Sequence, residues 1–235
     1  MSGSRAANRL SRRMISAIIF DCDGVLVDSE VLAHEVETGI LAAIGLHYDR
    51  HEFTTRFMGM SDEAFYEALE ADGQARLGRS IVGEIRPAIG EGMRIAIAQR
   101  LTEVPGALRA VSSIHHAKAV ASSSTVGRLG TKLRKTGLWD HFAPHVYSAE
   151  HVTHAKPAPD LFLHAAGALA VDPARCLVIE DSVNGVLAGR AAGMRVWGFS
   201  GGGHMNERIA AHLREAGAER IVPNWAAAEV LFAAL

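Results

Sequence analysis

A chain of 235 residues with 49% hydrophobic side chains is long enough for one large domain, or a domain with a smaller insert, and too apolar to be disordered. Its 24 basic and 26 acidic residues leave a formal charge of −2, which excludes a general attraction to nucleic acid or membrane, so local groups must hold any anionic ligand. No apolar run approaches the ~20 residues of a membrane span, and Cys22 and Cys176 lack C-x-x-C spacing, which reads as reduced core residues of a cytoplasmic protein.

Residues 1–13 carry Arg5, Arg9, Arg12 and Arg13 with no acid and no apolar centre; an organellar transit peptide has similar composition, but a disordered extension is the preferred reading. Residues 14–20 predict a first strand, apolar enough for a parallel sheet covered on both faces. That strand runs into Asp21-Cys22-Asp23-Gly24. Alternation along an extended segment sends Asp21 and Asp23 to the same side, and two carboxylates that close ask for a divalent cation, an acid/base role, or both. Ser29 then caps a predicted helix over residues 30–43, with Gly45 as its stop. A second helix is expected from Ser61 to about Asp72, and residues 81–101 read as a third that Pro87 and Gly90-Glu91-Gly92 should break or kink. With no strand evident there, residues 31–102 form an all-helical insert between core segments 14–30 and 103–235.

From Pro105-Gly106 onward, strand and helix alternate. Helices are predicted over residues 107–114, 125–136, 158–169, 183–192 and 206–216, and strands over 118–122, 145–148, 176–179, 195–199 and 220–222. The fold class is therefore α/β, a doubly wound parallel sheet with a helical cap inserted after its first strand. Three of its loops carry chemistry. Ser122-Ser123-Ser124-Thr125 ends a strand before a helix, where hydroxyls and amides bind phosphate, though one serine could simply cap the helix. Lys156 is stiffened by Pro157-Ala158-Pro159-Asp160. Glu180 and Asp181 close another apolar strand; Asp181 or Ser182 could cap the helix that follows, but a cap does not explain the pair. Most of the twelve histidines read as surface residues, whereas His204, after Gly201-Gly202-Gly203, follows a strand end on the expected active-site edge, where a flexible glycine loop with no catalytic part is the preferred account.

Asp21-Cys22-Asp23-Gly24-Val25-Leu26-Val27-Asp28-Ser29 resembles the first motif of the haloacid dehalogenase superfamily, in its phosphatase and β-phosphoglucomutase-like branch. Ser122, Lys156-Pro157-Ala158-Pro159-Asp160 and Glu180-Asp181 match the later motifs in order. The resemblance implies a magnesium-dependent phosphatase acting on a small phosphorylated metabolite, a sugar or sugar-acid phosphate, through an aspartyl-phosphate. In that scheme Asp21 is the nucleophile, Asp23 the general acid and base, Ser122, Ser123 and Lys156 the phosphate ligands, and Asp21, Asp23, Asp181 and Glu180 the metal site, Glu180 directly or through water. The cap would choose the leaving group, with Arg56, Gly59, Met60 and His204 as candidate substrate contacts, in a monomer or weak dimer. A phosphomutase is the alternative, weakened because Met58 and Asp62 stand where the mutases place basic residues. A non-catalytic relative is a further one, and a dehalogenase is disfavoured by Asp23.

Overall fold

The computed structural model describes residues 14–57, 60 and 62–235. The expected N-terminal extension, and the expectations resting on Met58, Gly59 and Ser61, lie outside the described residues. The chain divides into two compact units, one ending at Glu30 and resuming over Leu101–Leu235, the other Val31–Arg100.

The first unit is built on six parallel strands: β1 (Ala17–Phe20), β2 (Ala117–Ser122), β3 (Val146–Ser148), β4 (Cys176–Glu180), β5 (Arg195–Phe199) and β6 (Arg220–Val222), in the order β3-β2-β1-β4-β5-β6. β1 is central because every side chain in it is apolar and can be buried on either face. Ala17 and Ile19 join a core with Leu161 and Phe162 of helix Asp160–Ala168 and Val186 of helix Val183–Ala191. Phe20 turns to the other face, where its ring lies 5.6 Å from Phe142, 5.9 Å from Trp225 and 6.5 Å from Phe232. The sheet winds one way through β2 and β3 and the other way through β4, β5 and β6, so the switch point falls at the end of β1, where such sheets bind ligands. The register decides what meets there. Phe20 lies opposite Val120 on one side and Ile179 on the other, which leaves Asp21 level with Ala121 and Glu180, and Ser122 and Asp181 one step beyond.

Helix Trp225–Phe232 was not expected from the sequence. Asn224 caps it by accepting the Ala227 amide at 2.8 Å, and the fully buried Trp225 donates its indole N–H to the Val25 carbonyl at 3.1 Å. The C-terminal helix thereby ties down the turn that follows the two aspartates.

The second unit contains helices Arg50–Phe57, Asp62–Asp72 and Val82–Arg100, most of helix Ser29–Ala43, and a π-helical turn Gly73–Leu77. Leu41, Phe53, Phe57, Leu69, Ile85 and Ile89 form its core. The expected break at Pro87 and Gly90-Glu91-Gly92 does not occur: Val82–Arg100 is one unbroken helix of 19 residues. Pro87 and Gly83, whose carbonyl loses its helical partner, both lie on the exposed side where water can take that carbonyl, while Ile85 and Ile89 anchor the opposite side. Gly92 serves packing instead, since a Cβ there would come within 2.7 Å of Val36 on the neighbouring helix.

Candidate active site

Lys156 organises the first half of the site. Its ammonium is buried and spends its three protons on Asp21 Oδ1 at 2.5 Å, Glu180 Oε1 at 2.6 Å and the Ala121 carbonyl at 2.9 Å, with the Phe162 ring 4.9 Å below. Three adjacent strands are thus joined through one side chain. Burial alone would push the Lys156 ammonium down, but the charges of Asp21 and Glu180 more than offset it and hold it above the usual lysine range. Burial pushes the Asp21 carboxyl well up, against the pull of Lys156 and with Glu180, Asp181 and Asp23 adding to the rise.

Glu180, expected at the metal directly or through water, has both carboxylate oxygens engaged by protein groups. Its Oε1 goes to Lys156, and its Oε2 accepts from both the amide and the hydroxyl of Ser182 at 2.9 Å. Gly185 leaves the room for this, because a Cβ there would overlap the Glu180 carboxylate. Asp181 does open onto the site, with His204 Nε2 at 3.2 Å from its Oδ2. Burial raises the Asp181 carboxyl, and the His204 hydrogen bond opposes the rise. Gly24, at φ 72°, must be glycine on two counts, since a Cβ would also overlap Asp181. His204 was a candidate substrate contact, with a glycine loop of no catalytic part as the alternative. Its Nε2 stands against Asp181, and its Nδ1 is buried without a hydrogen-bond partner.

The second half centres on Asp23 and on a residue that sequence reasoning missed. The Lys132 ammonium, buried on helix Val126–Lys135, donates to Asp23 Oδ1 and also to Ser124 Oγ at 2.9 Å. Ser29 donates to the same Asp23 oxygen, Ser124 donates to Oδ2 at 2.9 Å, and Ser122 Oγ stands 3.5 Å from Oδ2. Burial would raise Asp23, yet the Lys132 charge and the hydrogen bonds of Lys132, Ser29 and Ser124 outweigh it and hold the carboxyl below the usual range. The expected crowding of Asp21 and Asp23 is therefore met by a separate lysine for each. In sequence, Lys132 has no motif. Only the helix that starts where β2 ends carries it to the site. Ser122 is buried at the end of β2 and accepts the Ser124 amide at 3.1 Å, Ser123 is exposed at the turn, and the first amide of the helix is taken by Glu150 at 2.7 Å.

In the helical unit, Arg56 is committed to the buried Asp72, which also accepts the Tyr48 hydroxyl at 2.5 Å. An anion would have to share that guanidinium.

The donors near Asp21 fit magnesium. Four carboxylates, Asp21, Asp23, Glu180 and Asp181, face two ammonium groups, and the excess of two negative charges, with Asp21 and Asp181 both raised, is what a divalent cation would neutralise. Among the described residues no three His, Cys, Asp or Glu side chains are grouped to hold an ion unaided. A set of two carboxylates, a main-chain carbonyl and waters is nonetheless the kind magnesium takes.

A parallel sheet whose switch point presents a buried aspartate beside a lysine, a serine and a second strand-end acid has the fold and the polar centre of a hydrolase of the α/β class. The chain belongs to the haloacid dehalogenase-like hydrolases, whose family model matches residues 15–193. It is 34% identical to hexitol phosphatase B of Escherichia coli over 196 residues, covering 78% of this chain and 82% of that one. Among solved structures, a conserved haloacid dehalogenase-like protein of unknown function from Agrobacterium tumefaciens superposes with a TM-score of 0.84 at 35% identity, covering 94% of this chain and 98% of that one. A candidate β-phosphoglucomutase from Thermotoga maritima gives a TM-score of 0.76 at 28% identity, covering 94% and 100%.

Proposed function

We propose that the protein is a magnesium-dependent phosphatase that hydrolyses a small phosphorylated metabolite, a sugar or sugar-acid phosphate, through an aspartyl-phosphate. The observation that carries this reading is the Asp21–Lys156–Glu180 bridge across three strand ends, with Ser122 and Asp181 one step further out. An Asp21 oxygen attacks phosphorus in line, the new O–P bond forming as the bond to the leaving oxygen breaks, and water later displaces Asp21. Asp23 gives the leaving oxygen its proton and takes one from the water; the pull of Lys132 favours the second of these tasks. Lys156 and Ser122 hold the charge of the transferring phosphoryl group. Bound magnesium, held by the Asp21 and Asp181 carboxylates and the Asp23 carbonyl, would offset the charge between nucleophile and phosphate.

The kinship to hexitol phosphatase B supports hydrolysis of a sugar-type phosphate. The likeness to a candidate β-phosphoglucomutase keeps a phosphomutase as the second reading. Phosphate release from a panel of sugar and sugar-acid phosphates, beside conversion of β-glucose 1-phosphate to glucose 6-phosphate with a bisphosphate primer, separates the two. Release should far exceed isomerisation and stop with a chelator; isomerisation outrunning release would overturn the choice.

A further inference from the structure

We propose that Lys132 is a positioning residue for Asp23, acting mainly in the hydrolysis of the aspartyl-phosphate. The inference rests on the reading of Asp21 as nucleophile and Asp23 as proton carrier. Around Asp23 the chain assembles four donors from three separate segments: Ser29 opening its helix, Ser122 ending β2 with Ser124 just beyond it, and Lys132 a further two turns along, on helix Val126–Lys135. Lys132 is the keystone of this set. Its side chain is only 7% exposed, and its ammonium donates both to Asp23 Oδ1 and to Ser124 Oγ, the hydroxyl that in turn donates to Asp23 Oδ2. One buried cation therefore fixes both oxygens of the carboxylate, one directly and one through Ser124. Burying an ammonium is costly unless it is paired, and an arrangement of this kind fixes geometry as much as it stabilises.

The two half-reactions depend on that geometry unequally. In the first, the leaving oxygen is bonded to the phosphorus under attack, so substrate binding itself brings it to Asp23. In the second, the nucleophile is a free water, oriented only by the groups around it, and Asp23 is the group that must align it and take its proton. A carboxylate displaced by about 1 Å can cost on the order of 10²-fold in such a step. Lys132 has no counterpart role at Asp21, where Lys156 already serves.

Lys132→Met keeps the length of the side chain and removes the charge and the donors. With p-nitrophenyl phosphate as probe, kcat should fall by about 10- to 100-fold, kcat/KM should stay within about threefold because it reports only steps through leaving-group departure, and phosphorylated Asp21 should accumulate in the steady state. Lys132→Arg should recover part of kcat. In an Asp23→Asn background, Lys132→Met should change little further, since its target is gone. Equal losses in kcat and kcat/KM without accumulation, or effects that multiply in the double variant, would overturn the inference. If Lys132→Met does not fold, Ser124→Ala decides: a smaller loss with the same split supports the inference, and unchanged kinetics or equal losses refute it. Wild-type turnover with no label on Asp21 would instead remove the mechanistic reading beneath it, whereas labelled Asp21 with Lys132→Met kinetics like wild type would sink the role of Lys132 alone.

Discussion

At the scale of single residues, the site is a problem of crowded charge. Glu180, Asp21 and Asp181 gather at neighbouring strand ends, and Lys156 is held between two of them by contacts of 2.5 and 2.6 Å. The position of Lys156 thus depends on Glu180, and that of Glu180 on the missing side chain at Gly185. Gly185→Ala should push the Glu180 carboxylate off Ser182 and shift Lys156, costing about 1–3 kcal/mol by overpacking. A thermal melt and a kcat measured on the same preparation check this: both should fall, and an unaltered kcat would show that Glu180 does not set Lys156. Sequence made Asp21, Asp23, Ser122, Lys156, Glu180 and Asp181 visible because each lies in or beside a strand-end motif. It hid Lys132, whose neighbours Leu129, Gly130 and Leu133 give a buried helix face with nothing to announce an ammonium in it. It placed His204 in a glycine-rich loop at a strand end, but gave no sign that its Nε2 would stand against Asp181 or that its Nδ1 would be buried.

At the scale of elements, strands and their alternation with helices were legible from apolar runs closed by glycine or polar turns, whereas the strand order is set by pairing between distant segments that no local pattern records. Helix Arg50–Phe57 was missed although Asp49 and Glu52 mark its start: the Glu52 amide donates to Asp49 Oδ1 at 2.8 Å. Only Phe53 and Phe57 are buried in it, too few to set a period. The start of helix Val82–Arg100 is secured from a distance, by Glu70 Oε2 accepting the amides of Ile81 and Val82 at 3.0 Å each. Hydrogen bonds from the Ile81 amide, the Ser80 hydroxyl and the Val82 amide push the Glu70 carboxyl down to about 2 from an ordinary 4.5. Because the folded value is the lower one, this contribution is complete above pH 4.5 and is lost as pH falls towards 2. Glu70→Gln should therefore lower Tm near neutrality and narrow its difference from wild type as pH drops through that window. A gap that stays constant down to pH 2 would show that the carboxylate charge is not what caps the helix.

At the scale of the whole molecule, the near-neutral net charge seen in composition hides a local imbalance at the strand ends, where four acids face two ammonium groups. Among the described residues no helix is long and apolar enough to cross a membrane. A ligand that binds only the folded chain stabilises it by mass action, so magnesium at a hundred times its dissociation constant should add about 2.7 kcal/mol and raise Tm, and a chelator should reverse the rise. A Tm indifferent to both would argue against a cation among Asp21, Asp23 and Asp181. What sequence could not reach is the substrate: of its candidates in the helical unit, Arg56 is already paired with Asp72, Met60 is an exposed thioether and Gly59 lies outside the described residues. The central claim is that Asp21 becomes phosphorylated during turnover. Substrate carrying labelled phosphate, an acid quench within one turnover and peptide mapping test it: the label should be found on Asp21 and be absent from the Asp21→Asn variant, whereas label on Ser122, or steady phosphate release by Asp21→Asn, would contradict it.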